Sequence, residues 1–305
     1  YLLVESTSFV SCSTSGELGG AVYFSNSGGQ CALYKVCGFD CCSTYTSRSR
    51  GLFVFTSVNN VISSKNYVNY TSITRCMNQI SDSHGMLYLV NGKIYCPSIN
   101  MSMNKCPHAP GIYCQPFIDS NSYTSSLTYS SFADNFATIS ICIYFFWRGT
   151  ANHEVKSCNI LRNTQGNLDS DGLFSASSNV FIEDSCILEN KATYIFYQEN
   201  SAYRFTVLNC TIDSTSNNGY LTIRNTFTKS FIHALNHMST QNCHSEYDSV
   251  GTLIPITPTP SSKKQICCYT CGNSFYQSEL RYLISIIRVF LFNFIHLNAY
   301  SYPLN

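Results

Sequence analysis

Charge is scarce in this chain. Asp, Glu, Lys and Arg make up 11% of the 305 residues, and the formal net charge is +1. Nucleic-acid binding needs a basic face or stripe, so no nucleic-acid partner is expected. A Gly-rich phosphate loop is also missing. The seven histidines are scattered, without a Ser-His-Asp or Cys-His spacing, and the aromatic residues lack basic neighbours that would help stack bases. No cofactor is implied. The chain starts at Tyr1 without methionine and shows no charged n-region followed by an apolar run. It reads as a fragment or processed product, so the missing signal peptide carries no weight.

Other residue types are abundant. Aromatic residues reach 14% and apolar residues 44%, which excludes a highly charged disordered chain. Solubility then rests on Ser, Thr and Asn, and this polar, uncharged, Tyr- and Phe-rich make-up suits an all-β protein. Seventeen cysteines is an odd number, so at least one thiol stays unpaired or bonds another chain. Their uneven spacing argues against a small disulfide scaffold. Three N-x-[ST] triplets begin at Asn69, Asn100 and Asn209 and point to an extracellular or cell-surface location.

A repeat organises the chain. One half is a small residue followed by an alternating apolar strand, as in Gly51-Leu52-Phe53-Val54-Phe55 and Gly85-Met86-Leu87-Tyr88-Leu89. With Val22, Leu52, Leu87, Ile112, Ile143, Leu173, Ile195 and Leu221 as markers, the steps are 30, 35, 25, 31, 30, 22 and 26 residues. That range fits one supersecondary unit per repeat. The other half is a second strand, read at Val68 to Ile73, Leu127 to Phe132, Val155 to Ile160, Ile182 to Leu188 and Val207 to Ile212. Cys158, Cys186 and Cys210 fall 28 and 24 residues apart, and the spacing places them in one column. Asn135, Asn163 and Asn190 follow comparable strand ends and would form an asparagine ladder. Such units bury an apolar face only by stacking. An antiparallel sandwich is the competitor, disfavoured because the two-part unit recurs in the same order. The fold expected is all-β, a right-handed parallel β-helix of about eight or more coils over residues 1–250.

The Gly19-Gly20-Ala21-Val22-Tyr23-Phe24 opening and the coil units resemble the pectate-lyase-like β-helix proteins, including large families of surface proteins in anaerobic protists. The stretch from Ala234 to Cys243, running on through Glu246-Tyr247-Asp248, resembles their last coil. The resemblance spans roughly residues 1–260. It implies an exported or membrane-attached protein, mostly without assigned activity.

Residues 251–265 form a Thr/Pro-rich linker with three of the eight prolines, where strands stop and an extended spacer begins. Residues 266–305 hold a Cys-containing segment and an apolar run, Leu280 to Leu297, interrupted by Arg281, Ser285, Arg288, Asn293 and His296. Membrane association through 280–297, a removed anchor signal, and a helix docked on the solenoid end all remain open.

Candidate chemistry rests on carboxylates. If the cysteines set the register, Glu189 and Asp213 each lie three residues after their cysteine, one coil apart, a separation suited to a retaining glycosidase pair. Asp134 extends the same column, and the resemblance to pectate lyases implies a nearby catalytic Arg or Lys, for which only Arg162 lies close. Against this, turn-flanking acids are ordinarily solvated, and the Asp-Asp and Gly-His signatures that the resemblance calls for are absent. Asp169 and Asp171 would offer oxygen ligands to calcium, but no third acid follows at EF-hand spacing. One Cys-x-x-Cys supplies only two of the four ligands a zinc ion needs. The function expected is a non-enzymatic surface or secreted protein binding glycans or host or other surface proteins along its flank. The alternative is a polysaccharide lyase or glycoside hydrolase.

Overall fold

The computed structural model describes residues 1–226, apart from 28, 45–48, 78–82, 120, 141, 147–150 and 167–171. It also describes Cys243 and the backbone of 245–247 and 253–255. The calls on Asp169, Asp171, the linker beyond 255 and the run 280–297 lie outside the described residues. Contacts divide the chain into residues 1–267 and 268–305, and everything below concerns the first unit.

Three parallel sheets share the chain in rotation. Sheet A has nine strands, sheet B eight and sheet C seven, and each complete turn contributes one strand to each in that order. The turn holding Lys93–Pro97 (A), Asn100–Ser102 (B) and Ile112–Gln115 (C) is representative, with Lys105–His108 adding a strand to a small fourth sheet. The result is an all-β parallel solenoid of about seven turns, with no helix among the described residues. Neighbouring turns pair in register, as in Asn100↔Ser131, Met101↔Phe132 and Ser102↔Ala133. One short antiparallel pair, Ser245–Tyr247 with Leu253–Pro255, forms a separate two-stranded sheet.

Side chains alternate across each strand, so every second residue enters a shared core. Phe53, Phe132, Phe145, Phe174, Phe196 and Phe205 are fully buried there, joined by Ile and Leu from all three sheets. No turn could bury these groups alone, and stacking makes the core continuous. Packing is close enough to dictate small residues. A Cβ on Gly38 would lie 2.5 Å from the Phe53 ring, so the phenylalanine occupies the space that a side chain would need. Gly51 has φ +62°, and a Cβ there would sit 2.3 Å from the Val54 carbonyl oxygen. This explains the small residue that precedes the sheet C strand in this turn.

Two corners repeat along the stack in left-handed backbone. Ser6, Lys35, Tyr70, Ser98, Tyr129, Ser157, Asp184 and Asn209, with φ of 47° to 55°, turn the chain from sheet A into sheet B. Ser11, Asp40, Arg75, Met103, Asp134, Arg162 and Glu189, with φ of 51° to 59°, turn it out of sheet B. Outside Gly, Asn and Asp this conformation costs on the order of 1 kcal/mol per residue. Corner amides offset the cost by bonding the next turn, as Tyr129 N does to the Lys156 carbonyl at 3.0 Å.

These corners correct three sequence readings. The second half of the repeat is two strands meeting at a corner, at Tyr70, Tyr129, Ser157, Asp184 and Asn209, because one left-handed residue reverses the alternation. The markers drift too. Val22 pairs with Val54 rather than Leu52, Ile143 with Phe174 rather than Leu173, and Phe174 with Phe196 rather than Ile195. Leu221 lies in sheet A opposite Phe205. The thiol column is mixed as well. Asn159 aligns with Cys186 and Cys186 with Thr211, so Cys158 stacks on Ser185 and then Cys210. Ser185 Oγ accepts from Cys158 N at 3.1 Å, and Cys210 Sγ accepts from Ser185 N at 3.4 Å.

The asparagine ladder forms, one rung longer than expected. Each backbone N–H of Cys76, Asn104, Asn135 and Asn163 donates to the amide oxygen one turn on, at Asn104, Asn135, Asn163 and Asn190, over 2.9 to 3.1 Å. Each amide nitrogen returns a bond to a main-chain carbonyl, at Ile73, Met101, Phe132 and Ile160. Buried amides are thereby satisfied from turn to turn.

A disulfide joins Cys37 on the outer side of sheet B to Cys243, 206 residues away. Cys243 is fully buried and its sulfur lies 3.4 Å from the Ser72 carbonyl oxygen. Disulfides persist in oxidising compartments.

Candidate functional site

The sequence-selected residues fall on one corner column. Asp134, Arg162 and Glu189 occupy the same left-handed position in successive turns, which sends each side chain off the solenoid. Arg162 binds Asp134 with both arms, Nε to Oδ1 at 2.8 Å and Nη2 to Oδ2 at 2.9 Å. Both side chains are about a third exposed, so the pair contributes less than about 1 kcal/mol. Glu189 and Asp213 are both exposed, and Asp213 sits one place earlier in the register than its proposed partner. Its Oδ2 accepts the backbone N–H of Glu189 at 2.5 Å. The two acids are therefore neighbours across adjacent turns, with one used to hold the other's backbone. Arg162, Thr164, Glu189, Asn190 and Lys191 line an open groove of about 570 Å³. Its single arginine is already neutralised by Asp134.

Metal and thiol chemistry find little purchase. Among the described residues, no grouping of three His, Cys, Asp or Glu side chains could hold a metal ion. Burial pushes the Cys158 thiol up to about 12 and Cys210 to about 11, so both remain protonated and poorly nucleophilic. His153 is completely buried between Ser125 Oγ (2.5 Å from Nδ1) and Ser178 Oγ (2.7 Å from Nε2). Burial lowers its pKa to about 3. This Ser-His-Ser relay is sealed inside the solenoid and cannot meet a substrate.

The glycosylation candidates differ in access. Asn209 is an exposed corner residue and Asn69 is half-buried. Asn100 is 1% exposed, and its Nδ2 donates to Ser72 Oγ at 3.2 Å, which leaves no room for a glycan on that nitrogen.

The three long outer faces are unlike one another. On sheet B the outward side chains from the third turn on, Ser72, Thr74, Asn100, Ser102, Ser131, Ala133, Asn159, Leu161, Cys186 and Leu188, are all buried, while Ser8, Val10 and Phe39 before them are partly exposed. On sheet C the outward row stacks Tyr23, Phe55, Tyr88 and Tyr113 with centroids 5.7, 5.5 and 4.0 Å apart, and only Tyr23 at the end is well exposed. Sheet A is open. Its outward side chains, such as Tyr34, Tyr67, Tyr95, Glu154, Lys156, Phe181 and Thr206, all keep part of their surface in solvent.

Aromatic and charged groups share that open face. Tyr67 and Tyr95 stack at 5.3 Å, with Lys65 over the Tyr67 ring at 5.8 Å. Tyr123 meets Phe181 edge-on at 5.7 Å. Lys93 pairs with Asp119 at 3.7 Å and Lys156 with Glu183 at 2.7 Å, while Ser126 donates to Glu154 at 2.6 Å. Sequence reasoning missed these aromatics because it followed the apolar inward positions. The available signal was Tyr67 and Tyr95, 28 residues apart at the same place in their strands.

No family model, curated protein or solved structure matches this chain. The functional reading therefore rests on the molecule alone.

Proposed function

We propose that the protein is a non-enzymatic, exported or surface-displayed solenoid that binds an extended partner, a glycan or another surface protein, along the outer face of sheet A. On this reading the winding is right-handed and the chain is akin to the pectate-lyase-like surface proteins. One observation carries it. Sheet A keeps a partly exposed outward row from turn to turn, Tyr67, Tyr95, Ser126, Glu154, Phe181 and Thr206, flanked by Lys65 and Lys156, while from the third turn on the outward row of sheet B is buried. A flat aromatic surface with satisfied charges offers stacking to sugar rings and hydrogen bonds to hydroxyls at regular steps of about 4.8 Å. The Cys37–Cys243 bond and the exposed Asn209 triplet support export.

The polysaccharide-cleaving alternative has the groove at Arg162 and Glu189 in its favour. Asp134 holding Arg162 and the Glu189 N–H holding Asp213 count against it, because a lyase or hydrolase needs those groups free for substrate.

Binding of the full chain to an array of polysaccharides and surface proteins tests the proposal. We expect retention of at least one extended ligand, with affinity reduced about tenfold or more by Tyr67→Ala with Tyr95→Ala and unchanged by Glu189→Gln. Cleavage of a polysaccharide that Glu189→Gln abolishes would overturn it. So would antibody labelling of the solenoid only after cells are permeabilised.

A further inference from the structure

Cysteines fall on consecutive turns at one position. Extending the pairing of Cys37, Gly38 and Phe39 with Ser72, Ile73 and Thr74 by two residues sets Cys41 beside Cys76, and the turn before places Cys12 beside Cys41. The Asp40 amide bonding the Thr74 carbonyl at 3.2 Å keeps that register through the corner. Among the described residues, no other column brings thiols together on adjacent turns.

This column continues the asparagine ladder. Cys76 Sγ accepts the Cys41 N–H at 3.3 Å, as the Asn104 amide oxygen accepts that of Cys76. Cys41 Sγ in turn donates to the Phe39 and Phe9 carbonyls at 3.3 and 3.4 Å. Cys41 and Cys76 are both fully buried. Stacked strands lie about 4.8 Å apart, inside the range of about 4.4 to 6.8 Å that a disulfide spans between Cα atoms. The Cys76 thiol hydrogen-bonds Cys41 and holds it below its usual range, while burial pushes Cys76 up.

We propose that Cys41 and Cys76 form a second disulfide, stapling the second turn of the solenoid to the third beside the Cys37–Cys243 bond. The oxidant is a low-molecular-weight disulfide of the compartment in which the chain folds. Cys41, as thiolate, attacks it, forming a mixed disulfide and releasing one small thiolate. Cys76, having given up its proton, then attacks the Cys41 sulfur, and the second small thiolate leaves. Two protein thiols are oxidised, one small disulfide is reduced to two thiols, and both protons end on the released thiols. Both thiols are buried in the finished stack, so the exchange takes place during folding.

Full-length protein carrying Cys42→Ser, which removes the adjacent half-buried thiol, is folded with such a disulfide until the Cys37–Cys243 bond is complete. It is then denatured without reductant, alkylated and cut with chymotrypsin, whose cleavage after Phe39 separates Cys37 from Cys41. Mass spectrometry should recover the Cys41 peptide joined to the Cys76 peptide. Adding Cys76→Ser should leave Cys41 alkylated. Recovery of Cys41 and Cys76 as alkylated thiols overturns the proposal, as does a Cys12–Cys41 link or a Cys41 still blocked once Cys76 is serine.

Discussion

Sheets A and B share one core and one register, yet their outer faces differ in composition and exposure. Outward positions of A carry Tyr67, Tyr95, Glu154, Lys156 and Phe181, all partly in solvent. Outward positions of B carry Ser72, Asn100, Ser131, Ala133 and Asn159, which are buried, and the Cys37–Cys243 bond is anchored on the same side. Long, amphipathic side chains suit a surface that meets water and ligand. Short hydroxyls, amides and small apolar groups suit a surface that is covered. The inward pattern specifies a solenoid, and the outward residues differ with the exposure of each face.

A charge placed on each face should break this symmetry most sharply. Leu161→Lys, on the buried row of B, is expected to cost about 3 kcal/mol or more, because it buries an unpaired ammonium. Thr206→Lys, on the half-buried row of A, should stay within about 0.5 kcal/mol. Urea midpoints at constant slope compare the two, and equal losses would erase the distinction.

Next in size is the ladder behind the corner of B. Asn163→Ala removes the acceptor for the Asn135 amides and the donor to the Phe132 carbonyl. A loss of about 2–3 kcal/mol in chemical denaturation is expected from buried groups left unpaired. Asn179→Ala, on the outer side of A, should cost less than a third of that.

Acid should act through the interior rather than through either face. His153 titrates near 3 when folded and near its ordinary 6.5 when unfolded. Between those values the unfolded chain holds one proton more than the folded chain. Stability is then full above about pH 6.5 and falls by about 1.4 kcal/mol for each unit of acidification toward 3. Replacing His153 with Gln should flatten that slope in denaturation series at pH 6 and 5. A small effect is expected at the corner column. Arg162→Ala should shift stability by less than about 1 kcal/mol, since its ion pair with Asp134 is solvent-screened.

The solenoid was legible because Leu87, Ile112 and Ile143 are inward residues that pair turn on turn, with Val22 in the same column one turn beyond Val54. The asparagine ladder was legible for the same reason, since Asn135, Asn163 and Asn190 keep a fixed offset from their strands. The corners were not. A single left-handed residue such as Tyr129 or Ser157 carries no signature in its side chain, and passing over it made one strand of two and moved Cys186 out of its assumed column. Glu189 and Asp213 were brought to adjacent turns as expected, but a one-residue shift set Asp213 against the Glu189 backbone. The open face of A escaped notice because exposure depends on what covers a sheet, which no periodicity within the strands encodes.

Hydroxyl-radical footprinting of the intact, oxidised protein tests the contrast between the faces most directly. Tyr67, Tyr95 and Phe181 should be labelled readily, and Leu161 and Leu188 should remain protected until the chain is unfolded. Equal labelling of the two rows in the folded protein would contradict the account.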